Sequence, residues 1–149
     1  MRILIQRVMS ANVVAEGLVT GAIDSGLLLL VGVTHADTES IEDHMADKVV
    51  KLRIFSDEKG LMNRSVIDIG GSLLAVSQFT LYADAKHGNR PSYTDAARPE
   101  QASPAFDRLV AKLASRLGKP VPTGVFGADM KVTLVNDGPV TIWLDSEKL

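Results

Sequence analysis

The sequence contains no cysteine, so a disulfide framework, a thiol nucleophile and a thiolate metal site are excluded. It contains three histidines, His35, His44 and His87, and none belongs to a closely spaced pair of metal ligands, so we expect neither a metal nor a cofactor. The longest apolar run, 27–33, is strand-sized and too short to span a bilayer. The N-terminal residues lack the long apolar core of a signal peptide. We therefore expect a cytoplasmic protein without a membrane partner.

The 149 residues carry 16 basic and 18 acidic side chains, and the net charge of −2 argues against broad electrostatic binding to DNA or RNA. The distribution is uneven, because residues 86–119 hold seven basic and three acidic side chains. That stretch is either a solvated helix face with a loop or a local contact for phosphates. With 46% hydrophobic residues and no repeat or linker, we expect one domain spanning residues 1–149.

Alternating polarity and short apolar runs predict a sheet. The segments flanking Glu16-Gly17 are typical of a hairpin, and the apolar run 27–33 is typical of a central strand covered on both faces. A turn is predicted at residues 136–139, between the last two strands. In chain order, the predicted strands cover residues 1–8, 12–15, 18–23, 27–33, 72–79, 130–135 and 140–144.

Two helices are predicted. The first covers about residues 38–52, with Asp37 or Thr38 as its cap and an apolar stripe that repeats every three or four residues. The second begins at Ser103, because Pro104 then takes the first helical position, and ends at Gly118. Since helices and strands do not alternate one for one, a doubly wound parallel sheet is disfavoured. We predict an α+β fold with a curled, largely antiparallel, barrel-like sheet and two packed helices.

Common catalytic motifs are absent, since the sequence has no GxSxG elbow, Walker loop or GxGxxG. The segment SQFTL, residues 77–81, places polar side chains at the end of an apolar strand. They either line the solvent face of the sheet or include a nucleophile, Thr80, which would need a base. His87 is the histidine nearest to Thr80 in the sequence.

Three further segments are candidates for ligand contacts. Residues 136–139 are typical of a hairpin turn, but their Gly-Pro bond permits a cis peptide and Gly138 offers bare backbone to a ligand. The loop 86–93 is basic and ends in an aromatic residue, a mixture that suits a phosphate and a stacked base. Phe126 and Met130 are either core residues or the two sides of a sandwich around a purine.

Taken together, these segments resemble the D-aminoacyl-tRNA deacylase family, formerly called D-tyrosyl-tRNA deacylase. The matching motifs occur from one end of the chain to the other, and the pair formed by SQFTL and NxGPVT is highly specific. In chain order the matching motifs are IQRV (5–8), LRIF (52–55), SQFTLYAD (77–84), GNRPS (88–92), FGADM (126–130) and NDGPVT (136–141).

The resemblance implies a carboxylic ester hydrolase that separates a D-amino acid from the 3′-terminal adenosine of tRNA. It also implies a homodimer with active sites at the subunit interface and with no DNA partner. Gly138-Pro139 is implied to be a cis peptide that reaches into the partner subunit's pocket and selects chirality, with Arg7 and Asn136 supporting it. From their residue types, Phe126, Met130, Lys86 and Arg90 are the candidate contacts for the adenosine or the rest of the tRNA.

The candidate catalytic residues are Ser77, Gln78, Phe79 and Thr80, of which the resemblance singles out Thr80. Thr80 is one candidate for the attacking group. The alternative is that backbone groups and the 2′-OH of the RNA carry the reaction, and the absence of a convincing base agrees better with that view. We expect backbone N–H groups around residues 78–80 to stabilise the developing oxyanion.

A proofreading enzyme that accepts many side chains has to read chirality at Cα. A rigid backbone surface clashes with the Cβ of an L-residue and leaves a D-residue in the open, while glycine passes, so mischarged glycyl-tRNA is an expected substrate. Other functions stay open at this point: a non-catalytic RNA-binding module, a small-molecule esterase that uses Thr80, and a sister deacylase of relaxed chirality with a different Gly-Pro conformation.

Overall fold

The computed structural model describes residues 1–149 as a curled, half-barrel mixed sheet with two packed helices, which confirms the predicted fold class. The helices are α1 (Glu39–Lys51) and α2 (Pro99–Leu117). A short 3₁₀ turn, Phe79–Tyr82, follows the sixth strand and is called the 79–82 turn. The strands are β1 (Arg2–Ala15), β2 (Leu18–Ile23), β3 (Gly26–Gly32), β4 (Phe55–Ser56), β5 (Met62–Arg64), β6 (Ser72–Ser77) and β7 (Met130–Asp145).

Strand β1 lies at the centre of the sheet. It pairs with β7 along one edge and with β3 and then β2 along the other, and all three pairings are antiparallel. The predicted hairpin around Glu16-Gly17 joins β1 to β2. Strand β3 is a buried central strand, as expected. It lies between β1 and β6, and its pairing with β6 is parallel. The outer edge of β7 has no partner strand within the chain.

The turn predicted at residues 136–139 is wrong, because β7 continues through these residues as one strand of 16 residues. Gln6 of β1 pairs with Thr141 of β7, and Val8 pairs with Asn136. The four residues 137–140 therefore lie opposite the single residue Arg7. We call residues 137–140 the Gly-Pro bulge. The long partner strand β1 keeps both flanks in one sheet, and the extra residues therefore form a bulge instead of reversing the chain.

The first helix begins and ends close to the predicted positions, and Thr38 caps it by accepting a backbone N–H at 3.3 Å. The second helix begins earlier than predicted, at Pro99, with Ser103 and Pro104 inside it. Proline is favoured in the first turn of a helix, and this preference alone does not distinguish Pro99 from Pro104. In the structure Pro99 takes that position, and Pro104 lies on the exposed side of α2. Gly118 ends the helix with a φ of 79°, as predicted.

Strand β6 ends at Ser77, two residues earlier than predicted. The N–H of Gln78 makes the last bond to β3, at 2.7 Å. The carbonyl of Val33, farther along, instead accepts the N–H of Ala97 at 2.9 Å. Because Ala97 occupies this edge, the chain after Gln78 has no ladder to extend and enters the 79–82 turn.

Ion pairs join the two helices along their length. Arg108 of α2 donates from Nε and Nη2 to the fully buried carboxylate of Glu42 on α1, at 3.0 and 2.7 Å. Farther along, Arg116 contacts Asp43 and Asp47. The pairs follow the same order on both helices, so α1 and α2 run parallel. Neither helix has the length and apolarity that a transmembrane span requires.

Candidate functional site

A cavity of about 640 Å³ opens where β3 and β6 end, beside the first turns of α2. Its lining is mostly hydrophobic and includes the buried residues Val31, Val76 and Ala97. The fold thus brings the end of β6 together with the start of β7, which are some fifty residues apart in the sequence. The residues predicted for the site that line this cavity are Ser77, Gln78, Phe79, Phe126 and Met130.

The 79–82 turn presents two free backbone donors beside this cavity. The N–H groups of Phe79 and Thr80 have no acceptor within the chain, whereas the N–H of Gln78 is bonded to β3. The turn is closed by the N–H of Leu81, which donates to the Gln78 carbonyl at 3.2 Å, and by the N–H of Ala83, which donates to the Thr80 carbonyl at 3.0 Å. Adjacent free N–H groups of this kind are able to stabilise a developing oxyanion.

The Thr80 hydroxyl is paired with a neighbouring amide, since Gln78 Nε2 donates to Thr80 Oγ1. Thr80 itself does not line the cavity, and no histidine does. His35 Nε2 lies 2.8 Å from the carbonyl oxygen of Thr94, and His87 lies in an exposed loop. The structure therefore brings no histidine to Thr80 as a base.

Aromatic side chains surround the opening of the cavity. The rings of Phe79 and Tyr93 meet edge to face, with centroids 5.1 Å apart and an interplanar angle of 72°. Phe79 is 55% exposed, Tyr93 41% and Phe126 37%. Three partly exposed aromatic residues beside an apolar cavity are suited to stacking against a flat ring.

Sequence reasoning missed Arg98, which is the one positively charged side chain that lines the cavity. Its side chain is 82% exposed, and its nearest carboxylate is Glu100 at 3.7 Å. The sequence signal for the position of Arg98 is Pro99, because a proline often occupies the first position of a helix and would place Arg98 at the helix start. Because the second helix was placed at Ser103, the first turn of α2 was not considered for the site.

Lys86 and Arg90 do not line the cavity. They lie on an exposed loop whose ends are joined by two backbone bonds between Asp84 and Ser92, at 2.7 and 2.8 Å. The loop continues into Tyr93, which does line the cavity. The basic loop is therefore attached to the site through this aromatic residue.

The Gly-Pro bulge lies apart from the cavity of its own chain, since none of its residues lines it. The peptide bond between Gly138 and Pro139 is cis, and both residues are exposed. Asn136 supports the bulge, because its Nδ2 donates to the carbonyls of Arg7 and Val140 at 3.0 and 3.1 Å. The predicted site residues thus form two groups within one chain, one around the cavity and one around the bulge.

Tyr82, the last residue of the 79–82 turn, and Asp145, which pairs with Arg2, have displaced pKa values. Burial raises the pKa of Tyr82, and the charge of Asp37 adds to this effect, so the phenol stays protonated. Burial also acts to raise the pKa of Asp145. The N–H of Glu147 and the guanidinium of Arg2 outweigh it, so the pKa of Asp145 lies below its usual value. The turn therefore ends in a neutral phenol, and the carboxylate of Asp145 is paired with Arg2.

The chain is similar over almost its whole length to curated proteins of one activity. The profile of the family described as D-Tyr-tRNA(Tyr) deacylase matches residues 4–145. The D-aminoacyl-tRNA deacylase of Dechloromonas aromatica is 58% identical over 147 residues, covering 99% of this chain and 98% of that protein. The D-aminoacyl-tRNA deacylase of Chromobacterium violaceum is 60% identical over 146 residues, covering 98% of this chain and 97% of that protein.

Two solved structures share the fold. One, described as c-Myc DNA Unwinding Element Binding Protein, has a TM-score of 0.90 at 38% identity, covering 97% of this chain and 98% of that one. The other, described as a probable eukaryotic D-amino acid tRNA deacylase, has a TM-score of 0.82 at 14% identity, covering 96% and 97%, and supports the fold alone. Because the family profile and the relatives extend over nearly all of its residues, this chain belongs to the D-Tyr-tRNA(Tyr) deacylase family of hydrolases.

Proposed function

We propose that this protein hydrolyses the ester of D-aminoacyl-tRNA and of mischarged glycyl-tRNA, and rejects L-aminoacyl-tRNA. The observation that carries the proposal is the apolar cavity beside two free N–H donors, in a chain that belongs to this family. A site without a base or a metal cluster is sufficient for an activated ester, which needs less assistance than an amide.

The cavity suits the terminal adenosine of the tRNA. Its volume of about 640 Å³ is in the range of small-molecule pockets, and its lining is mostly apolar. Phe126 and Met130 supply flat or polarisable surface for the adenine ring. The remaining nucleotides lie outside the cavity, where Lys86 and Arg90 on their exposed loop are available to phosphates.

The N–H groups of Phe79 and Thr80 are the donors for the oxyanion. Water adds to the ester carbonyl, the carbonyl oxygen takes up negative charge, and the bond to the ribose oxygen then breaks to release the amino acid and tRNA. The Thr80 hydroxyl, which accepts from Gln78, positions the water or the substrate in this scheme. Ser77 completes the polar end of the cavity. The proton that the attacking water loses passes to the ribose oxygen that leaves, by way of the 2′-OH of the terminal ribose.

The Gly-Pro bulge is the chiral selector in this proposal, and it acts on the cavity of a second copy of the chain. The support is its placement. Gly138 and Pro139 are exposed, do not line their own cavity, and belong to the edge strand β7, whose outer edge has no partner strand within the chain. Asn136 and the largely buried Arg7, whose side chain is 12% exposed, hold the bulge in one position. A fixed backbone surface excludes the Cβ of an L-residue and admits glycine.

The direct test uses the purified protein with one tRNA charged with the D-amino acid, the L-amino acid or glycine. We expect rapid release of the D-amino acid and of glycine, and no release of the L-amino acid above the spontaneous rate. Release from both enantiomers at the same rate would indicate an esterase, and binding without release would indicate an RNA-binding module. Either result contradicts the proposal.

The dimer is tested by mixing two damaged variants. Gly138→Ala alters the bulge, and Phe126→Asp places a charge in the cavity. If the bulge of one subunit serves the cavity of the other, the one intact cavity of a hybrid faces an intact bulge. Discrimination between D- and L-esters should then return when Gly138→Ala subunits are exchanged with an excess of Phe126→Asp subunits. Recovery should coincide with a sedimenting species of about twice 16.0 kDa. A fully active monomer would contradict the proposed dimer.

A further inference from the structure

Arg2 connects the 79–82 turn to two strands of the sheet. Its Nη1 donates to the carbonyl of Leu81 at 2.9 Å, and its Nε donates to Asp145 Oδ2 at 3.2 Å. Within the sheet, Arg2 pairs with Gly32 on β3 and with Asp145 on β7. A single side chain thus links the turn that carries Phe79 and Thr80 to the first and last strands.

Two aromatic rings fix the Arg2 guanidinium in this position. Its Cζ lies 4.4 Å from the ring centroid of Tyr82 and 5.6 Å from that of Trp143. The Arg2 side chain is 30% exposed, so the contact with water is limited. An arginine is required for this arrangement, because its planar fork directs donors to Leu81 and Asp145 at once, and a lysine ammonium does not.

The opposite side of the turn is in tight contact with the end of β3. A Cβ added to Gly32 would lie 3.1 Å from the Gln78 carbonyl oxygen and 3.1 Å from Leu81 Cβ. The turn therefore has no free space toward Gly32 and is tied to Arg2 at the Leu81 carbonyl. Its position is set from two sides by groups that do not line the cavity.

We propose that Arg2 is a positioning residue for ester hydrolysis, which sets the orientation of the Phe79 and Thr80 N–H groups by holding the Leu81 carbonyl. The proposal rests on the proposed function, in which those N–H groups stabilise the oxyanion. Such donors act only when they point at the reacting oxygen, and small displacements are costly in rate. Arg2 does not touch the cavity, so its loss should act on the chemical step and not on substrate binding.

The test compares Arg2→Lys and Arg2→Met with the wild-type protein. We expect kcat on D-aminoacyl-tRNA to fall about tenfold or more, with KM changed less than about threefold. Arg2→Lys keeps a positive charge near Asp145 but not the two-directional donation, so it should not restore kcat. Amide hydrogen exchange supplies the structural measurement, since the Leu81 and Ala83 N–H groups close the turn and should exchange faster in both variants.

The matched control is Arg116→Lys. Arg116 also bonds two carboxylates, those of Asp43 and Asp47, but it joins the helices and lies away from the turn. We expect a comparable loss of thermal stability with unchanged kcat and unchanged exchange at Leu81 and Ala83. If Arg116→Lys lowers kcat as much as Arg2→Lys, the effect of Arg2 is one of general stability and the proposal is overturned.

Gly32→Ala separates the role of Arg2 from the role of the turn. Its added Cβ displaces the turn from the other side, so kcat should fall here too. If Gly32→Ala lowers kcat but the Arg2 variants change neither kcat nor exchange, the turn is catalytic and the role of Arg2 is overturned. If exchange in the turn rises in all three variants while kcat stays at the wild-type value, the site proposed for the oxyanion is wrong, and the role of Arg2 is overturned with it.

Discussion

Arg7 and Asp137, which are 130 residues apart in the sequence, are in contact through both the backbone and the side chain of the aspartate. Arg7 Nε donates to the Asp137 carbonyl at 3.2 Å and lies 3.3 Å from Asp137 Oδ2. The same guanidinium donates from Nη1 to the carbonyl of Ile54 at 2.7 Å. The Gly-Pro bulge is thereby tied to β1 and to the segment that follows α1.

Arg7→Lys should weaken chiral selection. Lysine has one ammonium group, which does not reach Asp137 and Ile54 together, so the bulge loses a fixed position. We expect the ratio of D- to L-aminoacyl-tRNA hydrolysis to fall, and the free energy of unfolding to drop by about 1–3 kcal/mol. Arg53→Lys is the matched control, because Arg53 bonds the carbonyl and side chain of Asn63 in the same manner. An unchanged ratio in Arg7→Lys would place selection elsewhere.

Gly138→Ala should alter selection by direct contact. An added Cβ would lie 2.7 Å from Arg7 Nη2, and the φ of +115° disfavours any L side chain. Gly17→Ala is the control, since Gly17 also has a positive φ, of +76°, but nothing lies within 4 Å of an added Cβ. We expect both to lose stability, and only Gly138→Ala to lose discrimination between D- and L-esters. Equal ratios in the two variants would count against the bulge as selector.

Thr80→Ala should weaken hydrolysis without abolishing it. Thr80 Oγ1 accepts from Gln78, and no histidine lines the cavity as a base, so the hydroxyl is suited to positioning. Loss of such a contact lowers the rate roughly ten- to hundredfold. Single-turnover hydrolysis of D-aminoacyl-tRNA measures this, with the fold checked by circular dichroism. A rate reduced to the spontaneous background in a folded variant would point to covalent catalysis by Thr80.

Arg108→Ala should destabilise the protein more than Glu42→Met. Removal of Arg108 leaves the fully buried Glu42 carboxylate without its two charged bonds, whereas Glu42→Met removes the buried charge itself. We expect the larger loss of stability for Arg108→Ala, because an uncompensated buried charge is costlier than a buried apolar side chain. Denaturant unfolding measures both variants. A greater loss in Glu42→Met would contradict this account.

The ion pairs of Arg116 should make stability depend on acid pH. Bonds from Arg116 hold the pKa values of Asp43 and Asp47 below the usual 3.8. A carboxyl with a lowered pKa in the folded state stabilises it above the unfolded pKa, and this contribution is lost as the pH falls through the folded value. The stability difference between wild type and Arg116→Met should therefore be present at neutral pH and shrink below 3.8. A difference independent of pH would contradict the assignment.

Features that depend on near neighbours in the chain could be predicted from the amino-acid sequence. The cap at Thr38, the hairpin at Glu16-Gly17 and the stop at Gly118 are set by local backbone preferences, and all three occur where predicted. The family motifs were also sufficient for the fold class and the family, because they are contiguous segments. The cavity is lined by residues from two of these motifs, 77–79 and 126–130.

Features that depend on pairing between distant segments could not be predicted in this way and follow from the three-dimensional fold. Whether residues 136–139 reverse the chain or bulge from a strand is decided by β1, which continues opposite them. The free N–H groups of Phe79 and Thr80 exist because Ala97 occupies the edge where β6 would have continued. Arg2 reaches Leu81 across 79 residues of sequence. A backbone donor or a guanidinium finds its acceptor in space, and local sequence preferences do not specify which remote carbonyl will be there.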